Sequence, residues 1–299
     1  MNAGADLLQQ ARECLLAHNF ALAEPLLRHA IEQDPKLGQA YELLGKLLYR
    51  DSRNGEAAAV YRAWLQALPT DPVAAHLVAA TSGASPPERA SDGFIESVFD
   101  RAAPDFDATL AKLRYRAPQL VFERAFEVLG PTSVALDVLD LGCGTGLCGE
   151  WFRPLAQWLV GVDLSSEMLG QARARGCYDE LICEEITTYA TRCTARFDVI
   201  CAADVFCYFG DLSAVFAAAA ALVRPGGLFV FSVEERSAAS SNDEDGPGLL
   251  EHGRYAHSAT YLESVLVRLG LSCATLEPAV LRFERGAPVR GLVAVAKRA

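Results

Sequence analysis

The chain has 299 residues, 51% hydrophobic and 22% charged, a composition that supports large buried cores and excludes global disorder. Its 38 acidic against 27 basic side chains give a formal charge of −11, which repels a phosphate backbone and argues against a nucleic-acid partner. Nine cysteines, odd in number and without a CxxC pair, suggest neither a disulfide framework nor a metal cluster, and there is no basic-then-apolar leader and no uninterrupted apolar run of about 18 residues; the expectation is a cytoplasmic protein with no membrane partner and no bound metal.

Residues 1–80 read as successive helices, with apolar side chains at three- and four-residue spacing such as Leu22, Leu26, Leu27, Ala30 and Ile31. Two stretches repeat one pattern. FALAEPLLRHAIEQDP ends at Pro35 and GEAAAVYRAWLQALPTDP at Pro72, each a helix stopped by Asp-Pro, an interval of 72 − 35 = 37 residues. Together with YELLGKLLY at 41–49, this small all-α domain resembles tetratricopeptide repeats, whose period is about 34, and 73–80 supplies a third, capping helix. Such repeats form either a bundle that shields the rest of the chain or makes a homodimer, or a groove for a protein partner; only two copies favour the bundle. Residues 81–93, TSGASPPERASDG, have linker composition and mark the boundary with a second domain, 94–299.

From 94 to 130 the pattern is again helical, a candidate lid, with Pro118 placed where a helix starts. Short apolar runs then alternate with helix-length segments: ALDVLDL (135–141), WLVGVDL (158–164), ELIC (180–183), FDVICAAD (197–204) and GLFVFSVE (227–234). This alternation implies an α/β fold, a doubly wound parallel sheet with helices on both faces. The last two β-rich runs, around Gly286, Ala287 and Pro288, have no helix between them and form an antiparallel hairpin that closes the sheet.

The first strand runs into LDLGCGTG (139–146), where Gly142, Gly144 and Gly146 let a ligand approach the main chain. A dinucleotide loop requires GxGxxG, but the third residue after Gly144 is Leu147, and Asp140 would repel a pyrophosphate. The segment closely resembles the first motif of the class I S-adenosylmethionine-dependent methyltransferases, and later motifs follow in order over 95–299. The resemblance implies a seven-stranded Rossmann-like sheet with an antiparallel last strand. It also implies a loop of Asp140, Gly142, Cys143, Gly144 and Gly146 under the methionine part of the cofactor, and Asp163 on both ribose hydroxyls, because a carboxylate accepts two hydrogen bonds from a diol. Leu164 and Met168 follow as residues at the adenosine side. The acidic adenine contact falls on Glu184 or Glu185, of which Glu185 is preferred. Asp204 and the residues after it would reach towards the sulfonium and the acceptor, and Tyr115, beside Arg116, would belong to a lid over the cofactor. Asp140 and Asp163 have a simpler reading as helix N-caps, and Asp204 as a cap or bridge.

His257 follows a long polar stretch, EERSAASSNDEDGPG, that reads as a cover for the acceptor site, which makes His257 a candidate general base; the alternative is a residue of the turn before the next helix. Arg254, Tyr255, Tyr261 and Arg282 are candidates for binding an acidic acceptor, with ion pairs to NDEDG as the alternative for the arginines. The resulting expectation is methyl transfer from S-adenosylmethionine, leaving S-adenosylhomocysteine, to an oxygen or nitrogen of a small-molecule acceptor. A protein methyltransferase recruiting its substrate through the repeats and a non-catalytic scaffold are the competing readings.

Overall fold

A computed structural model describes residues 3–130, 135–236 and 247–299, and the chain divides into two compact units. The first is Met1–Pro87 with Leu250–Arg254, and the second is Glu88–Leu249 with Tyr255–Ala299.

The first unit is built from α1 (Ala3–Leu16), α2 (Phe20–Gln33), α3 (Gly38–Arg50), α4 (Asn54–Ala67) and α5 (Pro72–Thr81), each packed on the next in sequence. Small residues set the spacing between helices. A Cβ at Gly45 of α3 would stand 2.1 Å from the Tyr61 ring of α4, so only glycine permits that approach. Trp64 stacks on Tyr41, with 6.3 Å between ring centres, and donates its indole N–H to Asp71 at 3.1 Å. Asp71 also caps α5 by accepting the Val73 and Ala74 N–H groups, with Pro72 in the first turn. The second Asp-Pro therefore starts a helix, and the helix before it already ends at Ala67.

The second unit opens with α6 (Asp92–Ala102), a 3-10 turn (Ala103–Asp105), α7 (Phe106–Lys112) and α8 (Ala117–Leu129). Then come β1 (Leu136–Leu141), α9 (Leu147–Phe152), β2 (Ala156–Asp163), α10 (Ser166–Arg175), β3 (Glu180–Cys183), α11 (Ile186–Arg192), β4 (Phe197–Ala202), α12 (Ser213–Leu222) and β5 (Val223–Glu235). The chain closes with β6 (Gly248–Leu249), β7 (Tyr255–His257), α13 (Ala259–Arg268), β8 (Leu271–Glu284) and β9 (Ala287–Arg298). The strands β3-β2-β1-β4-β5 are parallel, and β9 joins β5 antiparallel with β8 outside it. The doubly wound fold with an antiparallel closing hairpin is as the alternation implied; its turn is Arg285-Gly286, both at positive φ, one step earlier than expected. Two short strands raise the described sheet from seven strands to nine: β7 runs parallel to the end of β5, and β6 pairs antiparallel with β7.

Period-two alternation divides the core. On one face Leu139, Leu141, Ile200, Phe229, Phe231 and Val233 pack with residues of α11, α12 and α13, and on the other Val138, Val199, Leu228 and Val230 pack with residues of α8 and α9. Burying each large apolar side chain contributes about 1.5–3 kcal/mol. On the second face the same alternation runs on, in step with Val138, Val199 and Val230, into buried Asp140, Cys201, Ser232 and Glu234. Polar atoms are buried there in a row, at the carboxyl ends of the strands where ligands of open α/β sheets bind.

Candidate functional site

At the carboxyl end of β1 the backbone turns through Gly142 (φ 68°), Gly144 (φ 53°) and Gly146 (φ 93°). These glycines are not equivalent. A Cβ on Gly142 would lie 2.5 Å from Val205, so the loop rests on the segment after β4, whereas one on Gly144 would meet no protein atom within 4 Å. The crest of the loop thus faces open space. Cys143 is buried, and burial raises its thiol pKa well above the ordinary value, which keeps the sulfur neutral.

Asp163, the last residue of β2, accepts the Gly144 N–H at Oδ2 (2.8 Å) and the Ser165 N–H at Oδ1 (2.9 Å). Burial raises its pKa, and the backbone N–H groups oppose the shift. Asp140 sits deeper, 1% exposed, with Oδ2 accepting the Tyr178 hydroxyl at 2.6 Å and the Cys201 thiol 3.6 Å from Oδ1. The Tyr178 oxygen in turn accepts the Gly149 N–H at 3.1 Å. Asp140 therefore braces the loop from beneath, and burial pushes its carboxyl up to about 7. Met168 is 1% exposed, inside α10, and the backbone oxygen of Leu164 accepts from the Cys183 thiol.

Glu185 caps α11 through the N–H and hydroxyl groups of Thr187 and Thr188 and lines a cleft of about 560 Å³ with Phe209, Asp211 and Val215. Glu184 is paired with Arg192.

After β4, Asp204 adopts φ 62° and donates its N–H to Ser232 Oγ at 2.9 Å. A non-glycine residue held in the left-handed region is strained, and such strain concentrates at functional positions. Its carboxylate accepts from Arg282 Nη1 at 2.8 Å; the same guanidinium donates to Glu234 from Nη2 and to Glu284 from Nε. Arg282 is 1% exposed and its three donor nitrogens are all engaged by carboxylates, so it does not serve as a receptor for an acidic acceptor. Tyr115, half-buried ahead of α8, lies close enough to Asp204 and Arg282 to feel their charge, and burial raises its pKa well above the ordinary value.

The other acceptor-side candidates of the second unit, His257, Tyr255 and Tyr261, meet around Gly210, Asp211 and Leu212 as packed side chains, not as an open site. His257 is fully buried, and its Nε2 donates to the Gly210 carbonyl at 3.1 Å. Burial lowers its pKa to about 4, and the ring stacks on Tyr261, so the arrangement is that of a packed core imidazole, not an accessible base. Tyr255 is likewise fully buried, and the Tyr261 hydroxyl donates to Asp211 while accepting the Leu212 N–H. Arg254 belongs to the first unit. The NDEDG segment proposed to pair with the arginines, and most of the polar stretch proposed to cover the site, lie outside the described residues.

Several residues at this edge carry no local sequence signal. Asp107 of α7 accepts the Thr145 hydroxyl at 2.6 Å and pairs with Arg175, whose Nε donates to the Thr145 carbonyl; Asp100 of α6 accepts the Ser165 hydroxyl at 2.5 Å. The helical segment before the sheet is thereby fastened to both the glycine loop and the loop after β2. Its ends are fixed by backbone: Ala90 N–H to Tyr208 O, Arg116 N–H to Leu281 O and Phe283 N–H to Leu113 O.

A family model described as a methyltransferase domain matches residues 94–276. Over 85 residues the chain is 47% identical to methyltransferase-like protein 27 of Homo sapiens, a stretch covering 28% of this chain and 34% of that protein. Over 118 residues it is 32% identical to a ubiquinone biosynthesis O-methyltransferase of Rhodopseudomonas palustris (strain BisB18), covering 39% and 46% respectively. The matched stretch is under half the length of either relative. A crystal structure of magnesium protoporphyrin IX methyltransferase from Synechocystis PCC 6803 shares the fold, with TM-score 0.54, 16% identity, and coverage of 70% of this chain and 99% of that one.

Proposed function

The chain belongs to the methyltransferase domain family, and on that premise we propose that it transfers a methyl group from S-adenosylmethionine to an oxygen or nitrogen atom of a small-molecule acceptor. The observation that carries this reading is the bond from the Gly144 N–H to Asp163 Oδ2, 2.8 Å long, at a loop crest with no protein atom within 4 Å of a Cβ position. It holds a carboxylate able to accept a diol beside a stretch of main chain that a ligand can approach closely. The name of the Rhodopseudomonas relative, an O-methyltransferase of ubiquinone biosynthesis, supports a small-molecule acceptor.

When bound, the cofactor supplies a methyl group already activated on a positive sulfur. The chain's own contribution is position and electrostatics. Asp163 would take the ribose hydroxyls with lone pairs not used by Gly144 and Ser165, and Gly142 and Gly144 would allow the close main-chain approach. Asp140 acts through the loop it braces. Asp204, with Tyr115 beside it, places negative charge and a phenol where the alternation of the sheet becomes polar, suited to a cationic methyl donor. Glu185 and Met168 are the candidates for the adenosine side, just after the end of β3 and in the first turn of α10.

The helical unit is proposed to be a pair of tetratricopeptide-like hairpins with α5 as a cap, supported by the Gly45–Tyr61 approach and the Asp71 cap. A cytoplasmic location is supported by nine cysteines with no disulfide among the described residues. No described helix is long and apolar enough to cross a membrane.

Calorimetric titration with S-adenosylmethionine, and separately with NAD, tests the cofactor. We expect saturable binding of the first alone, about micromolar, lost in Asp163→Ala. Heat with NAD only, or with neither ligand, would overturn the reading.

A further inference from the structure

The five residues Leu250–Arg254, which the sequence places between β6 and β7, belong to the first unit. They form a closed turn: the Leu250 N–H donates to the Arg254 carbonyl at 2.8 Å and the Gly253 N–H to the Leu250 carbonyl at 2.7 Å. Three successive helices meet it. From α5, the buried His76 donates its Nε2–H to the Gly253 carbonyl at 2.7 Å. From the start of α4, Asn54 donates to Glu251 Oε2 at 2.5 Å, and from α3 the Tyr49 ring meets His252 edge-on, 6.4 Å between centres. Gly253 has φ 90°, and a Cβ there would stand 3.3 Å from Leu77 and 3.4 Å from His76, so both its conformation and its space call for glycine.

We propose that the groove of α3, α4 and α5 is a seat for the chain's own 250–254 turn, and that the helical unit acts as an internal clamp on this turn and not as a dock for another protein. Four observations from separate elements support it: a buried imidazole matched to one carbonyl, a side-chain amide matched to one carboxylate, a ring pair, and a glycine whose missing side chain makes room. The clamp takes effect through the chain. β7 leaves the turn directly and pairs Ala256 and His257 with Glu234 and Glu235 at the end of β5, so what fixes residue 254 restrains the strand that follows. Glu234 is one of the carboxylates on Arg282, which connects the restrained strand to the polar row of the sheet. The inference goes beyond the methyl-transfer reading and does not depend on it.

Hydrogen–deuterium exchange on the full chain tests the clamp without any assay of catalysis. In the unmodified protein the Leu250 and Gly253 amides are expected to exchange slowly. His76→Ala, which removes a buried hydrogen bond, should speed them about tenfold while peptides from β1 and β4 keep their rates. Asn54→Ala, at a more exposed position, provides a second variant should the first fail to fold, and Gly253→Val approaches the same contact from the other side. Unchanged protection of 250–254 in correctly folded variants would overturn the proposal. Loss of S-adenosylmethionine binding with the protection pattern as expected would instead count against the cofactor reading alone.

Discussion

Arg282 Nη1 meets Asp204 Oδ2 at 2.8 Å across 78 residues of sequence, at a guanidinium that also holds Glu234 and Glu284. Removing the cation leaves carboxylates crowded in a buried place. Arg282→Met is expected to lower stability by about 3–5 kcal/mol, read as a fall in the chemical-denaturation midpoint. A variant as stable as the parent would show that the cluster contributes nothing to the fold.

Asp140 couples the glycine loop to pH. Its carboxyl is pushed up to about 7 from an ordinary 3.8, so the folded state holds its proton where the unfolded chain has lost it. Its stabilising contribution is complete below the ordinary value and disappears as pH rises through about 7. Asp140→Asn, which cannot titrate, should therefore gain on the parent between pH 5 and pH 8 by about 3 kcal/mol, the part of the loss that falls between pH 5 and about 7. Urea titrations at both pH values check this, and a constant gap between the two proteins would refute it.

For His257 the sign is reversed. Burial lowers its pKa from 6.5 to about 4, so its contribution is complete above 6.5 and is lost as pH falls through about 4. The imidazole resonances should stay those of a neutral ring down to about pH 5 by NMR. Titration near pH 6.5 would mean an accessible ring and would restore His257 as a candidate base.

Asp100 and Asp107 are expected to govern release of the cofactor. Replacing both by Ala frees the Thr145 and Ser165 hydroxyls from the helical segment, and dissociation of S-adenosylmethionine measured by stopped flow should accelerate about tenfold. An unchanged rate would mean that this segment does not lie across the exit.

What could be read from the sequence was what its signals carry locally. Strand and helix periodicity, the three glycines and Asp163 fall within one βαβ stretch, and a backbone that must turn at the end of a buried strand has few other residues to use. The Asp204–Arg282 pair was not legible as a pair, since its members are brought together by the β8–β9 hairpin and the bulge next to Arg282, and no local pattern encodes that register. The two extra strands were missed because three residues and two residues are too short for periodicity to register. His257 looked like a base because a polar stretch precedes it, but its surroundings are set by Gly210 and Tyr261, one of them 47 positions away.

The seat of the 250–254 turn also bears on the order in which the protein is made. An amino-terminal unit ordinarily finishes folding while the rest of the chain is still being synthesised. Here the groove of α3, α4 and α5 must wait for Gly253, by which time most strands of the second unit have left the ribosome. The unit whose helices precede the sheet is thus completed only after most of the sheet has been made, and a nascent chain arrested short of residue 250 lacks the turn that fills that groove.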